Sequence, residues 1–162
     1  MQSINVSEKK PKITLTNRRA FHDYEILEKI EAGIVLHGTE VKSLRQGKAS
    51  FKDCYAKVID QELWLVSFHI SPYDFGGYSN HDPARPRKLL LHKYEIKRLI
   101  GKIEEKGLTL IPLRLYFKEG KVKVELGLAR GKKIYDKRKD IAARDVSREA
   151  QRELKNKYRI NL

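Results

Sequence analysis

The feature that most constrains the fold is a pair of long apolar runs joined by a short turn. Leu110 to Lys118 and Lys121 to Arg130 flank the dipeptide Glu119-Gly120. In the second run, valine or leucine occupies each even position from 122 to 128, whereas positions 121, 123 and 125 are charged. This period-two alternation is typical of a half-buried strand, and a short glycine-containing turn between two such runs predicts a β-hairpin. One face of the hairpin is predicted to line a core, and the opposite face to be basic.

Two more pairs of strands are predicted before this hairpin. They are Tyr24 to Ile30 with Gly33 to Leu36, and Cys54 to Ile59 with Leu63 to Phe68. The second pair is rich in β-branched and aromatic residues, which favour strands, and the dipeptide Asp60-Gln61 is its predicted turn.

Two helices are predicted between these strands. From His92 to Lys106, apolar residues recur at helical spacing, and Gly107 follows where a left-handed C-cap is expected. A shorter helix runs from Thr39 to Gln46, with Thr39 as its predicted N-cap. Many short strands with inserted helices indicate a mainly β fold with α, an OB-like antiparallel β-barrel with two or three helices.

The segment from Ser71 to Arg87 is predicted to be a long connection because it contains three prolines and two glycines. It also carries aromatic residues and arginines, which are Tyr73, Phe75, Tyr78, Arg85 and Arg87. Two interpretations are open: the loop stacks unpaired bases on its aromatic rings, or it folds back over the barrel on them.

The apolar pattern ends near Gly131. Residues 131–162 hold eleven Lys or Arg against five Asp or Glu, and neither Phe nor Trp. If this segment is helical, Arg144, Arg148 and Arg152 form a cationic stripe at i+4 spacing. Its apolar residues are too few to fasten it to a barrel, so a flexible tail is expected that is disordered or partly helical when free. The predicted organisation is a flexible N-terminus over residues 1–12, a barrel over 13–130 and a basic C-terminal tail over 131–162.

Charge and hydropathy limit the possible partners and locations. The formal net charge is +14, which favours a polyanion such as nucleic acid. The longest apolar runs are far shorter than the roughly 18 residues that a membrane span needs. Residues 1–12 contain no apolar stretch of the kind found in secretory signals, and Cys54 is the only cysteine, so a cytoplasmic location is expected.

No catalytic, metal or cofactor site is predicted. The five histidines are scattered without metal-ligand spacing, and no phosphate-binding glycine loop is present. Histidine is followed by aspartate at His22-Asp23 and His81-Asp82, but neighbours on a strand point to opposite faces, so these pairs are not expected to form dyads. Binding, rather than catalysis, is therefore the expected activity.

Three groups of motifs resemble the small protein B family, also called SsrA-binding protein. The first is Asn17-Arg18-Arg19-Ala20, His22-Asp23-Tyr24, Glu31-Ala32-Gly33-Ile34 and Gly38-Thr39-Glu40-Val41-Lys42-Ser43-Leu44-Arg45. The second is His81-Asp82-Pro83 with Arg85, followed by Arg87-Lys88-Leu89-Leu90-Leu91-His92. The third is Gly131-Lys132-Lys133 followed by Tyr135-Asp136-Lys137-Arg138. They occur in order across residues 13–155.

The resemblance implies an OB-like barrel that binds the tRNA-like part of tmRNA and catalyses nothing. With elongation factor Tu and GTP, such a protein delivers tmRNA to ribosomes stalled without a stop codon, and it stimulates aminoacylation by alanyl-tRNA synthetase. The residues implied on or under the tmRNA-binding surface are Asn17, Arg19, His22, Glu31, Leu90 and Lys123.

The resemblance also assigns a role to the tail. Asp136, Lys137 and Arg138 would act in the decoding region of the small subunit, where Tyr135 would stack on a ribosomal base. The predicted ribosome-binding tail, acting in the decoding centre and the mRNA channel, comprises Lys132, Lys133, Tyr135, Asp136, Lys137, Arg138, Arg144, Arg148 and Arg152.

Two alternative functions of the chain are considered. The first is a general OB-type single-strand-binding module, and the second is an RNA-modifying or hydrolytic enzyme that uses His22 or His81.

Overall fold

A computed structural model of the chain describes residues 12–77, 80–132 and 134–160, excepting the side chains of residues 13, 134–137, 139–140 and 154–160. The predicted flexible N-terminus therefore lies outside the described residues, apart from residue 12. In chain order the elements are β1 (Lys12–Thr16), α1 (Arg18–Asp23), β2 (Tyr24–Ile34), α2 (Gly38–Arg45), β3 (Ala49–Ser50), β4 (Tyr55–Ile59), β5 (Glu62–Val66), β6 (His69–Ile70), β7 (Arg87–Leu90), α3 (Lys93–Lys106), β8 (Thr109–Lys118), β9 (Lys121–Gly131) and α4 (Ile134–Ile160).

Seven strands form one antiparallel sheet that closes into a ring. Their order is β1-β8-β4-β5-β7-β2-β9, and β8 also pairs with β9. Strands β3 and β6 form a separate two-stranded sheet. The prediction of a mainly β fold with helices, built on an antiparallel barrel-like sheet, is confirmed.

The hairpin of β8 and β9 has the predicted turn. Lys118 pairs with Lys121 across Glu119 and Gly120, and both turn residues have positive φ angles of 51° and 74°. Turns with two positive φ angles match the twist of the strands that they join, which explains the position of glycine here. The even-numbered residues of β9 face the interior of the ring, where Val124, Leu126 and Leu128 are buried.

The second predicted hairpin is also present, as β4 and β5, with positive φ angles at Asp60 and Gln61. The third predicted pair was wrong, because Tyr24 to Ile30 and Gly33 to Leu36 do not fold onto each other. Residues 24–34 form the single strand β2, which pairs with β9 on one side and β7 on the other. Ala32 and Gly33 continue the extended backbone and pair with Val124 and Lys123, so no turn interrupts it.

The interior of the ring is the main hydrophobic core. Its fully buried side chains include Leu63, Leu65, Leu89, Leu115, Val124 and Leu126. Helix α3 packs onto this core through Ile96 and Leu99, and it ends at Gly107, whose φ of 62° provides the predicted left-handed cap.

Helix α2 contributes Leu44 to the core. It begins at Gly38, so the prediction that Thr39 is its N-cap was wrong. His37 is the N-cap, because its backbone N–H donates a hydrogen bond to the Glu40 carboxylate at 2.9 Å.

The sequence patterns missed strand β1, strand β7 and the short helix α1. Helix α1 covers part of the outside of the ring, where Ala20 joins Ile111, Leu113 and Ala129 in a second hydrophobic cluster. Gly127 lies beneath Leu113, and a Cβ atom at this glycine would come within 2.9 Å of the Leu113 side chain. Hence β8 and β9 are buried on both faces where α1 lies, and they expose an outer face only beyond it.

Along the described residues, no helix is both long enough and apolar enough to cross a membrane.

Candidate nucleic-acid interface

The outward-facing side chains of β2, β9 and β8, together with α1 and the end of β7, form one continuous surface, here called the outer face. Strand pairing sets its rows: Glu31 lies opposite Glu125, and Glu125 lies opposite Arg114. In the next row Gly33 has Leu90 on one side and Lys123 on the other. The outer face therefore brings together all six residues that the sequence analysis assigned to RNA binding, although they span residues 17 to 123.

Asn17 fixes α1 onto the sheet. Its side-chain oxygen accepts a hydrogen bond from the Ala20 N–H at 3.2 Å, which caps the helix, and its side-chain nitrogen donates to the Pro112 carbonyl at 2.9 Å. Its backbone N–H donates to the Leu113 carbonyl at 2.7 Å. Asn17 thus supports the interface by holding the helix that carries Arg19 and His22.

Asp23 pairs with two other side chains of α1, those of Arg19 and His22. Its carboxylate lies 3.3 Å from the Arg19 Nε and 2.8 Å from the His22 Nδ1. The argument that strand geometry separates His22 from Asp23 does not apply, because both lie at the end of a helix and their side chains form a hydrogen bond. Arg19 is 79% exposed, so its guanidinium is oriented by Asp23 yet open to a phosphate group.

At the other end of the outer face, Glu31 orients neighbouring side chains as Asp23 does on α1. Its carboxylate accepts a short hydrogen bond from the Tyr116 hydroxyl and lies 3.5 Å from the Lys118 Nζ. The hydrogen bond from Tyr116 keeps the pKa of the Glu31 carboxyl below its usual value. Burial, together with this carboxylate, raises the pKa of Tyr116. At neutral pH, Glu31 is therefore an ionised group that positions a neutral phenol and a lysine.

Leu90 and Lys123 flank a low point in the surface. Leu90 is 51% exposed, because it points to the opposite face of β7 from the buried Leu89. The intervening Gly33 has no side chain, and a Cβ atom there would come within 3.2 Å of the Leu90 Cβ. An exposed apolar side chain and an ammonium group therefore lie on either side of Gly33 on the outer face.

Three residues missed by the sequence analysis join the two ends of the outer face. The Arg114 guanidinium lies 5.2 Å from the centre of the Phe21 ring, and the Lys29 ammonium lies 5.8 Å from the same centre. Arg114 also pairs with Glu125 at 3.3 Å. Arg114 was detectable as the one charged residue inside the apolar run from Leu110 to Phe117.

Cations outnumber carboxylates on the outer face. The cations are Arg19, Lys29, Arg114, Lys118, Lys121 and Lys123, and the carboxylates are Asp23, Glu31 and Glu125. Each of these carboxylates lies beside a cation, so it orients the cation without neutralising the whole surface. A surplus of this sign suits a polyanion whose phosphates are bound at several points.

The tail begins against the outer face and then leaves the sheet. The Lys132 N–H donates to the Asp23 carbonyl at 3.0 Å, and its Nζ lies 3.4 Å from the Phe21 carbonyl, so the start of the tail is tied to α1. In α4 the side chains of Arg144, Arg148 and Arg152, which form the predicted cationic stripe, are exposed, and so is the side chain of Arg138. Lys133 and the side chains of Tyr135, Asp136 and Lys137 lie outside the described residues. The expectation that the tail is disordered or partly helical before binding stays a prediction.

The connection after β6 does not form the predicted set of stacking residues. Arg87 is fully buried and donates hydrogen bonds to the Glu40 carboxylate and to the Phe68 and Pro83 carbonyls. Arg85 pairs with the same carboxylate. These bonds fold the connection back against α2, so Arg87 was wrong as a base-stacking residue.

Other residues of this connection keep part of the stacking hypothesis open. Tyr73 packs edge-on against Phe75, with ring centres 5.6 Å apart, whereas Phe75 itself is 84% exposed. Tyr78 lies outside the described residues. An exposed Phe75 remains compatible with a role in binding.

His81 belongs to the buried ion-pair cluster beside α2. Its Nε2 lies 3.5 Å from the Glu40 carboxylate, and burial lowers the pKa of this histidine. A neutral, enclosed imidazole next to two arginines is part of the packing of the connection. In the part of the chain that the structure describes, no group of three or more His, Cys, Asp or Glu residues is arranged to hold a metal ion.

Comparison with known proteins gives a consistent result. The family model described as SmpB protein matches residues 14–156. The SsrA-binding protein of Carboxydothermus hydrogenoformans is 59% identical over 147 residues, which cover 91% of this chain and 99% of that protein. The SsrA-binding protein of Desulforudis audaxviator is 60% identical over 146 residues, covering 90% of this chain and 95% of that protein.

A solved structure supports the same relationship. A chain in the structure described as "tmRNA-SmpB: a journey to the center of the bacterial ribosome" has 63% sequence identity and a TM-score of 0.63, covering 74% of this chain and 85% of that chain. With a family model matched over most of its length and close relatives along nearly all of it, the chain belongs to the SmpB family of SsrA-binding proteins.

Proposed function

We propose that this chain binds the tRNA-like domain of tmRNA and delivers it to ribosomes stalled on mRNA that lacks a stop codon. The observation that carries the proposal is the outer face, on which α1 and strands β2, β7, β8 and β9 present a continuous cationic surface. It is a binding protein and not an enzyme, in keeping with the family to which it belongs.

The outer face recognises a folded RNA by its shape and phosphates. Arg19, Lys118 and Lys123 bind phosphate oxygens. Asp23 orients Arg19 and Glu31 orients Lys118 before the RNA arrives. Leu90 packs against a sugar or an unpaired base beside Gly33. Because its parts are held by neighbouring strands, this surface loses little conformational entropy on binding.

The tail acts on the ribosome instead of on tmRNA. The exposed arginines at positions 138, 144, 148 and 152 suit the phosphates of an RNA-lined channel that is too narrow for the ring of strands. Tyr135, Asp136, Lys137 and Arg138 act in the decoding centre, and Lys132 and Lys133 lead into it. Residues 13–130 thus form the tmRNA-binding unit and residues 131–162 the ribosome-binding unit.

The remaining partners follow from the same pathway of delivery. Elongation factor Tu with GTP accompanies the aminoacylated tmRNA to the ribosome, and alanyl-tRNA synthetase is affected indirectly through the tRNA-like domain. Ribosomes and tmRNA are cytoplasmic, and so is this protein. None of these roles requires a metal ion or an organic cofactor.

A competition experiment tests the proposal. Purified protein is bound to a labelled tRNA-like domain of tmRNA, and unlabelled competitors are then added. The same domain should displace the label at far lower concentrations than unrelated single-stranded RNA. Equal displacement by both would contradict the proposal and favour a general single-strand-binding module, for which the exposed Phe75 is the supporting observation.

A further inference from the structure

The only tryptophan of the chain, Trp64, lies on the outside of the ring of strands. On β5 the neighbouring residues Leu63 and Leu65 are fully buried in the core, so Trp64 points the other way. It packs into neither of the two hydrophobic clusters that the described residues form. The packing of the core therefore does not explain why a large aromatic side chain occupies this position. A contact with a partner outside the ring would explain it.

Lysines flank Trp64 on both neighbouring strands. Strand pairing places Lys57 of β4 opposite Trp64 on one side and Lys88 of β7 opposite it on the other. Lys57 is exposed, and Lys88 is partly exposed with its ammonium 3.1 Å from the Glu62 carboxylate. The row Lys57–Trp64–Lys88, here called the tryptophan row, therefore places an indole ring between two cations.

The composition of the tryptophan row favours nucleic acid over protein as its occupant. Lysine is depleted from the centres of protein–protein interfaces, whereas an aromatic ring beside cations is the usual platform for an unpaired base and its phosphates. Trp64 offers the ring, and Lys57 and Lys88 offer the charges for the phosphates on either side of the stacked base.

The tryptophan row is continuous with the outer face. Lys88 and Leu90 lie two residues apart on β7, so both point outward and are separated by about 7 Å. Leu90 in turn adjoins Gly33 and Lys123. From Trp64 to Lys123 the path crosses β7 and β2, which is three strand spacings or roughly 14 Å.

We infer that an unpaired segment of the RNA bound by the outer face continues around the ring and stacks a base on Trp64, with its phosphates on Lys57 and Lys88. This inference rests on the proposed function, since the outer face must first hold a tRNA-like RNA. It adds a second contact region, on strands β4 and β5, that recognises single-stranded RNA and not a helix.

The single tryptophan makes the test direct, because fluorescence excited at wavelengths that tyrosine does not absorb reports on Trp64 alone. The tRNA-like domain of tmRNA is titrated into the full chain, with fluorescence and gel mobility measured in parallel. Stacking should quench the fluorescence as the complex forms. A single-stranded RNA of about eight nucleotides should also quench it, and a blunt duplex of the same length should not.

Matched variants separate stacking from general effects. Trp64→Ala should weaken binding of the tRNA-like domain by about tenfold, the loss expected for one base–aromatic stack, while Trp64→Phe should stay within about threefold of the wild type. Tyr94→Ala removes a ring that is 70% exposed on α3, outside both the row and the outer face, and should leave the affinity unchanged. Circular dichroism confirms that each variant is folded.

The failures of the two proposals are distinguishable. If the tRNA-like domain binds the wild type tightly, yet leaves the fluorescence unchanged and binds Trp64→Ala equally well, the tryptophan row is refuted and the proposed function stands. An equal loss in Tyr94→Ala and Trp64→Ala would also overturn the row. If the domain does not bind the wild-type protein at all, the proposed function itself fails.

Discussion

The outer face and helix α4 are both strongly basic, but they hold their charges in different ways. On the outer face, Asp23 orients Arg19 on helix α1, and Glu31 orients Lys118 across strands whose inner sides are buried. On α4, the side chains of Arg144 and Arg148 are exposed to solvent, and Val146 on the same helix is 67% exposed. A surface arranged before binding can recognise one RNA shape, whereas an unrestrained stripe of charge can adapt to whatever channel it enters.

Removing α4 is the most severe test of this contrast. A chain ending at residue 133 should tag no peptides on stalled ribosomes, while its affinity for the tRNA-like domain stays within about threefold of the wild type. Lys132 is kept because it contacts α1. Tagging is measured in a reconstituted translation system, and affinity by filter binding. Parallel loss of both activities would show that the two regions do not work independently.

Arg87→Met tests the ring, and Arg148→Met is its matched control on α4. Arg87 is fully buried against the Glu40 carboxylate and three carbonyl groups, so its loss removes one of the two arginine partners of Glu40 and a donor to each carbonyl. The free energy of unfolding should fall by about 3–5 kcal/mol, the usual cost of breaking a buried ion pair. Arg148→Met should leave it unchanged. Urea denaturation followed by circular dichroism measures both, and equal effects would contradict the contrast.

Lys123→Ala tests the outer face through the number of phosphates that it contacts, which the salt dependence of RNA affinity reports. If Lys123 contacts one phosphate of the tRNA-like domain, the variant should lower the slope of log affinity against log salt concentration by about one. Lys106→Ala, at the exposed end of α3, is the control and should keep the wild-type slope. Binding is measured over a series of salt concentrations. An unchanged slope in Lys123→Ala would place Lys123 outside the RNA contact.

The sequence predicted the parts of the fold whose signals are local. The hairpin of β8 and β9 follows from period-two alternation and the Glu119-Gly120 turn, and the end of α3 follows from Gly107. Helix α1 was missed because its six residues carry no helical period; its position depends on Asn17 bonding to β8, about 95 residues away in the sequence. The failure at β2 has the same origin, because pairing with β9 and β7 keeps Ala32 and Gly33 extended.

The same division between local signals and long-range contacts applies to the residues of the functional site. Motif resemblance assigned Glu31, Leu90 and Lys123, and the strand register then brought them together on the outer face. It gave no hint of Tyr116, because a tyrosine inside an apolar run looks like a core residue. Its hydroxyl reaches Glu31 only because β8 and β2 both pair with β9, which no local pattern encodes.

Tyr116→Phe produces the smallest expected effect and tests whether the outer face is arranged before binding. The phenol is the main cause of the lowered pKa of Glu31, so its removal should raise the pKa of this carboxyl toward its ordinary value. A depressed folded-state pKa contributes stability above the unfolded-state pKa and loses it as pH falls through the folded value. The variant should therefore lose this contribution at a higher pH than the wild type.

Nuclear magnetic resonance of the Glu31 carboxyl carbon measures the shift of its pKa directly. Lys118→Met is the matched comparison, and it should raise the pKa by less than Tyr116→Phe does, since Lys118 is the weaker cause. RNA affinity at neutral pH should fall only slightly in Tyr116→Phe, because Lys118 still adjoins the carboxylate. If the pKa does not move, Glu31 is not held by Tyr116 in solution, and this end of the outer face is no more ordered than the arginines of α4.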